Sequence, residues 1–303
     1  MLRRNIEGKW IEHVSSWRRM AQAMWKPSYD PTTYGLLEVD MSNALDYIGR
    51  LSASSGQHVT VTHIVTKALA DTLAQHPECN VLIRRRRIFQ RDRIGIFVIV
   101  AIEPPGTAAG AQRADLTGIM VQDADRKSLV EVAAEIEQGA GHARTGSDAQ
   151  FARMKWFFDH VPIPLLRQVV RLTSLVQYEL NVDLSPVGIP RDSFGSATVT
   201  SVGMHGLRYG LPPMMPTDRN SVGLVVGRIA DHPVAVHGEV VIRPMLPVTA
   251  VVDHRVIDGF QAGQLCATFE RILRDPAAHF DHAGEFTEAP GEQRRGVVTP
   301  VSA

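Results

Sequence analysis

Apolar residues recur along this chain with two periods, in short runs that alternate residue by residue and in longer runs that return every three or four positions. Such a succession predicts strands interleaved with amphipathic helices. Tyr34 to Asp40 reads as a strand, and Ser42 can cap a helix that runs to about Ser54, before Gly56. In TVTHIVTKALADTLAQHP, the residues Val61, Ile64, Val65, Ala68, Leu69 and Leu73 share one helical face, and Pro77 stops the run. Strands are expected at about Val81 to Phe89 and Ile94 to Ile102, the second apolar enough to be buried on both faces. A loop opening on Pro104, Pro105 and Gly106 leads to a strand near Thr117 to Gln122. Ser128 and Glu131 then form an S-x-x-E capping box for a helix that Gly139, Gly141 and Gly146 are expected to end. SATVTSVG, SVGLVVGRI and VIRPMLPVTAVVDH supply further strands, GFQAGQLCATFERILRDP a last helix ending at Pro276, and Trp17 to Trp25 one more helix near the chain start.

Between the capping-box helix and SATVTSVG lies a stretch of different character, residues 149–194, which Pro162 and Pro164 break in two. Its second piece carries Leu165, Leu166, Val169, Val170, Leu172, Val176 and Leu180 on one broad face, with Arg167 and Arg171 at i, i+4 spacing. Packing against the protein's own body or a sister subunit is the preferred reading, and contact with a membrane surface through the 149–180 helices, or the sheltering of an acyl chain, is the alternative. Four adjacent arginines, Arg84 to Arg87, fall in a strand or hairpin. They read first as an edge defended against pairing, and second as a site for an anionic partner or the phosphates of CoA.

Composition narrows the classes. The chain has 303 residues, 44% hydrophobic and 21% charged, enough to bury a sizeable core. Its 32 basic residues balance 32 acidic ones, so no global field draws nucleic acid, and none is expected as a partner. Only five of the basic residues are lysine, which leaves few candidates for lysine catalysis. Two cysteines, Cys79 and Cys266, cannot build a cross-linked framework and are read as core. The chain start lacks the apolar region of a secretory signal, so a cytoplasmic location is expected. His232, His237 and His254 lack compact ligand spacing, and His232 to His237 reads as a hairpin turn with Gly238, so no metal is expected.

The chemistry concentrates in Asp253-His254-Arg255-Val256-Ile257-Asp258-Gly259, where an apolar strand stops and a helix begins. A histidine at such a rim is a candidate general base, because its pKa lets it take and give a proton near neutrality. On spacing alone, Asp258 reads as the N-cap of the last helix and His254 as a surface histidine. DHRVIDG, however, resembles the active-site signature of the dihydrolipoyl acyltransferase components of 2-oxo acid dehydrogenase complexes, which share a fold with chloramphenicol acetyltransferase. YGLLEVDMSNALDYI, VTVTHIVTKALADTLAQHPECN, DADRKSLVEVAAEI and SATVTSVGMHG resemble further blocks of that catalytic core, in the same order.

The resemblance implies an α/β, chloramphenicol acetyltransferase-like two-layer fold, a mixed β-sheet covered by helices. The catalytic core would span residues 1–285, with a helical insertion at about 149–194 and a flexible tail at 286–303. It implies that His254 deprotonates a thiol whose sulfur attacks a thioester, and that a hydroxyl at the family's serine position stabilises the resulting oxyanion. Thr200 falls at that position with Ser201 beside it. The two face opposite sides of a strand, and Thr200 is favoured over a role for both in bonding neighbouring strands. Asp258 would be structural, paired with an arginine for which Arg18 and Arg19 are candidates, or else a cap. Gly259 would serve the tight turn into the helix.

The family's trimeric architecture implies a homotrimer with each site between two subunits. CoA or acyl-CoA enters as substrate, and the lipoyl group is held only on another chain, since no lipoyl domain precedes the core. Leu211 to Pro216 corresponds to a loop that lines the channel or lies inert on the surface. A carrier-protein thiol, an amine or a hydroxyl is an alternative acceptor. A non-catalytic trimeric scaffold derived from the same core is the reading from a different class.

Overall fold

The computed structural model describes residues 30–102, 115–145, 161–215 and 218–281. The chain divides into two units, Met1–Pro31 and Thr32–Ala303, and every element below belongs to the second. Strand β1 (Thr32–Asp40) is followed by α1 (Ser42–Ser55), closed by Gly56 in the left-handed region, and by α2 (Val61–Gln75). Thr60 and His63 form a capping box at the start of α2. Next come β2 (Val81–Arg84), β3 (Arg87–Gln90), β4 (Ile96–Ile102), β5 (Asp115–Val121) and α3 (Leu129–Thr145). The inserted helix α4 (Ile163–Ser174) precedes β6 (Ala197–Ser201), β7 (Val222–Val226), β8 (Ala230–Val236) and β9 (Glu239–Asp253). Helix α5 (Gly259–Arg274) and the short α6 (Pro276–Phe280) close the described chain. No helix among the described residues is long and apolar enough to cross a membrane.

The sheet runs β1-β9-β7-β6-β4-β5, with β8 paired to the first half of the long strand β9. Strands β4, β6 and β7 are parallel, and the other pairs are antiparallel, so the sheet is mixed as expected. Helices α1, α2, α3 and α5 cover one face. Ile96, Val98, Ala197, Val199, Leu224 and Val252 point into them and join Ile64, Leu73, Ile272 and Leu273 in a continuous core. Two layers of this kind bury the apolar stripe of each helix on one side of the sheet, which is what the periodicity demanded. Lys67, only 5% exposed, is satisfied by Asp71 at 2.6 Å and by the carbonyls of Asp125 and Ala124, tying α2 to the turn before α3.

Three expectations are corrected. The strand expected over Val81 to Phe89 is a hairpin, with Arg85 and Arg86 at positive φ in its two-residue turn. Gly139 and Gly141 do not end α3, which continues to Thr145; a Cβ on Gly139 would come within 2.8 Å of Ile119, so this glycine lets the helix lie close against β5. His232 lies within β8, and the turn is His237 and Gly238 alone.

The insertion did not take up the packing against the body that its periodicity suggested. Among the described residues α4 buries none, and Ile163, Leu165 and Leu172 are exposed. What anchors the segment follows it, in a single π-turn at Leu175–Glu179 where Tyr178 is buried. Glu179 accepts from the backbone N–H of Arg85 at 2.6 Å and pairs with Arg219 at 2.9 Å. The first piece of the insertion, the helix expected at Trp17 to Trp25 and the tail expected at 286–303 lie outside the described residues.

Candidate active site

Strand β9 ends at Asp253, and the chain turns through His254, Arg255, Val256 and Ile257 before α5 begins. Four features hold this turn. Asp253 is buried and its N–H donates to the Ser221 carbonyl at 3.0 Å. The Arg255 guanidinium folds back onto the Asp253 carboxylate, with Nη2 at 2.6 Å and Nε at 2.9 Å. This bidentate pair raises the Arg255 pKa, chiefly through the hydrogen bond. Ile257 is 1% exposed and pins the turn to the core. Asp258 caps α5, accepting from the N–H groups of Phe260 at 2.9 Å and Gln261 at 3.0 Å, while Gln261 accepts in return from the Asp258 N–H.

His254 stands exposed between these anchors. Its Nδ1 lies 2.9 Å from the carbonyl oxygen of Ile257. A carbonyl only accepts, so Nδ1 carries the hydrogen and Nε2 presents a lone pair, the form a general base requires.

Thr200 and Thr198 project from the sheet face opposite the helices, since Ala197 and Val199 point into the core. Thr198 has the strand-bonding role considered for both hydroxyls of this strand, its Oγ1 lying 2.8 Å from the amide of buried Asn220. Thr200 makes no side-chain hydrogen bond among the described residues and is half-buried, so its hydroxyl is available to an incoming oxygen. Ser201 falls on the other side of the strand.

The sheet register separates the two candidate residues within one chain. Thr200 is level with Val225, and Val225 with Thr249 on β9. His254 follows five residues further along, about 16 Å at ~3.3 Å per residue, and two strand spacings of about 4.8 Å to the side. One subunit therefore does not bring imidazole and hydroxyl to a common atom.

For Asp258 the structure shows the cap. Its proposed partners Arg18 and Arg19 lie outside the described residues. Asp258→Ala is expected to cost ~1 kcal/mol and lower Tm by about 2–4 °C, while Asp258→Asn, which keeps the acceptor, holds the wild-type Tm in a calorimetric scan. Residues 211–215, the described part of the 211–216 loop, approach this end of the sheet: the Tyr34 hydroxyl donates to Pro212 O at 3.1 Å, and the Met214 N–H to Thr32 Oγ1 at 3.3 Å. Thr32 is the register partner of Asp253. Cys79 is fully buried, its thiol pushed up to about 11 by burial, so it does not serve as a nucleophile. Among the described residues no group of three His, Cys, Asp or Glu is placed to hold a metal.

Sequence reasoning missed two features of this region. One is the Asp253–Arg255 clamp, whose only signal was the D-x-R spacing across a turn. The other is a buried polar cluster where the insertion meets the sheet end: Arg91 pairs with Asp192 near Asp218 and Tyr178, all from distant parts of the sequence. Burial pushes the Asp218 carboxyl up to about 6 from an ordinary 3.8. An acid raised in this way binds its proton more tightly folded than unfolded, so stability is lost as pH climbs from about 4 through about 6. Asp218→Asn keeps an acceptor for the Asn220 N–H and is expected to gain ~1–3 kcal/mol over wild type at pH 8. The gain should vanish at pH 4; urea titrations at the two pH values check it.

A mixed sheet backed by helices on one face, with a histidine turn between its long strand and last helix, is the architecture of the acyltransferase cores. Residues 9–150 and 191–280 match the model of the 2-oxoacid dehydrogenases acyltransferase (catalytic domain) family, and the chain belongs to that family. The unmatched residues 151–190 are the heart of the insertion. The chain is 27% identical over 244 residues to the dihydrolipoyllysine-residue acetyltransferase component of the Bacillus subtilis pyruvate dehydrogenase complex, covering 79% of this chain and 44% of that protein. It is 23% identical over 223 residues to the corresponding component of the B. subtilis acetoin cleaving system, covering 74% and 43%. The chain thus spans less than half the length of these curated relatives. Among solved structures, Azotobacter vinelandii dihydrolipoamide acetyltransferase superposes with a TM-score of 0.59 at 20% identity, covering 82% of this chain and 84% of that one. A probable dihydrolipoamide acetyltransferase from Listeria monocytogenes gives 0.58 at 19%, covering 88% and 95%.

Proposed function

We propose that this protein transfers an acyl group between CoA and a thiol of lipoyl type supplied on another chain, using His254 as general base and Thr200 as oxyanion donor. The observation that carries the reading is the His254 ring, held by Ile257 O with Nε2 bare at the strand end. Nε2 takes the proton of the acceptor thiol. The thiolate attacks the thioester carbonyl, a tetrahedral intermediate forms, and its oxyanion accepts the Thr200 hydroxyl hydrogen. Collapse expels the sulfur of CoA, which takes the proton back from the imidazolium, so no net proton is consumed.

Because the register keeps Thr200 and His254 of one chain far apart, the site is composed between subunits, and a homotrimer is the assembly that supplies it. Family membership and the likeness to oligomeric cores, among them the cubic core of a pyruvate dehydrogenase complex, support this reading. The reaction is tested by incubating the protein with acetyl-CoA and dihydrolipoamide and following CoA release. A chain that stays monomeric and silent across thiol, amine and alcohol acceptors would instead favour a non-catalytic scaffold.

A further inference from the structure

Between the helices and the sheet, beside the histidine turn, lies a cavity of about 220 Å³. Its walls are β1, β9 and β7 on one side and α2 and α5 on the other, and its lining is almost wholly carbon. One end is formed by Thr33, Val252 and Gly259, each close in the chain or the register to the turn at 253–258. From there it follows α5 towards Cys266 and Phe269. Its size corresponds to about seven groups of water or methylene volume at ~30 Å³ each, and a smaller apolar cavity already suffices to hold a benzene ring.

Two observations set this space apart from loose packing. The residues that would close it are small on both sides: Gly35 and Ala250 on the sheet, Gly259, Ala262 and Cys266 on α5. A Cβ added at Gly35 would meet only the Ala250 Cβ, at an ordinary contact distance of 3.8 Å, so the space beside this strand exists because the position is glycine. Among the described residues the lining also holds no Lys, Arg, Asp or Glu. A free fatty acid would find no cation for its carboxylate, whereas the tail of a thioester brings none.

We propose that this cavity is an acyl-chain subsite, which takes the aliphatic tail of a medium-chain acyl thioester while its carbonyl is handled at the His254 turn. This rests on the acyl-transfer reading above and adds to it the class of acyl group. Each buried methylene strengthens binding about fourfold, so a six- to eight-carbon tail is discriminated strongly from acetyl. Thr33 and Tyr34 place polar groups at the rim, and the hydroxyl of buried Thr72, which also lines the space, is tied back to the Ala68 carbonyl at 2.7 Å.

The test uses the full chain and two probes, octanoyl-CoA and acetyl-CoA. Calorimetry is expected to show octanoyl-CoA binding at least tenfold more tightly. Octanoyl-CoA, and not acetyl-CoA, is expected to slow alkylation of Cys266 by a small haloacetamide, read by mass spectrometry at alkaline pH because burial and Glu270 raise this thiol. Cys79, fully buried, serves as the internal reference. Ala262→Leu and Cys266→Phe, which fill the space from two positions, are expected to abolish the preference while acetyl-CoA binding persists. Equal affinities with no protection of Cys266 in the wild type would overturn the subsite, and that result needs neither variant to fold. Protection of Cys266 without turnover on any donor would instead overturn the acyl-transfer reading and leave the pocket standing.

Discussion

His254→Ala is expected to lower CoA release from acetyl-CoA and dihydrolipoamide by about 10²–10⁴-fold, the range a positioned general base supplies. The loss should fall on kcat with KM for acetyl-CoA little changed, because the imidazole acts on the proton in flight and not on the bound nucleotide. Folding should be untouched. The ring is exposed, and its one hydrogen bond among the described residues is to a carbonyl at the mouth of the turn. Gel filtration and a thermal scan of the variant check that the oligomer and its Tm match wild type. A variant of normal shape and near-normal rate would remove His254 from the mechanism.

The second large effect is a rescue. Thr200→Ala is expected to cost about 10²–10³-fold in kcat, the usual consequence of removing one oxyanion donor, and Thr200→Ser to restore most of it. Mixing Thr200→Ala subunits with His254→Ala subunits, after dissociation and reassembly, should recover activity that neither has alone. If each site draws its imidazole from one protomer and its hydroxyl from the next, random assembly from equal amounts gives about one quarter of the sites both intact groups. Recovery near that level is the signature of a shared site, and a silent mixture would mean the two groups do not cooperate across subunits. The expectation follows from β6 and β9 being joined through β7 in a fixed register, which prevents Thr200 and His254 of one chain from meeting.

Much of this fold was legible in the sequence because local signals agreed with the global one. The Ser128–Glu131 box stands where the S-x-x-E spacing placed it, with Ser128 N–H and Oγ both 2.8 Å from Glu131. Gly56 ends α1 and Pro276 follows α5, each by the conformational restriction that marked it. Glycines misled where their purpose was tertiary: Gly139 looked like a stop and is a clearance for Ile119, which no local pattern reveals. Arg84 to Arg87 took the hairpin of the two readings offered for them, with Arg85 and Arg86 in its turn.

At the site, the histidine turn and the Thr200 strand were readable from short motifs. Their separation was not, because register is a property of paired strands. The cluster of Arg91, Asp192, Asp218 and Tyr178 was hidden for the same reason, since its members are assembled only when the insertion docks. The insertion met only part of its expectation within one chain, and its packing on a sister subunit is not tested by a single chain. Within one chain the residues that dock are the π-turn's Tyr178 and Glu179, while α4 leaves Leu165 and Leu172 exposed and Leu166, Val169 and Val170 half-buried.

The bond between His254 and the Ile257 carbonyl has one more consequence. That oxygen can accept from Nδ1 both before and after Nε2 gains a proton, and more strongly after, so the bond holds the ring in one orientation in either charge state. If His254 acts as proposed, proton traffic would be confined to one edge of the imidazole, and each half of the exchange would begin with the base already aimed.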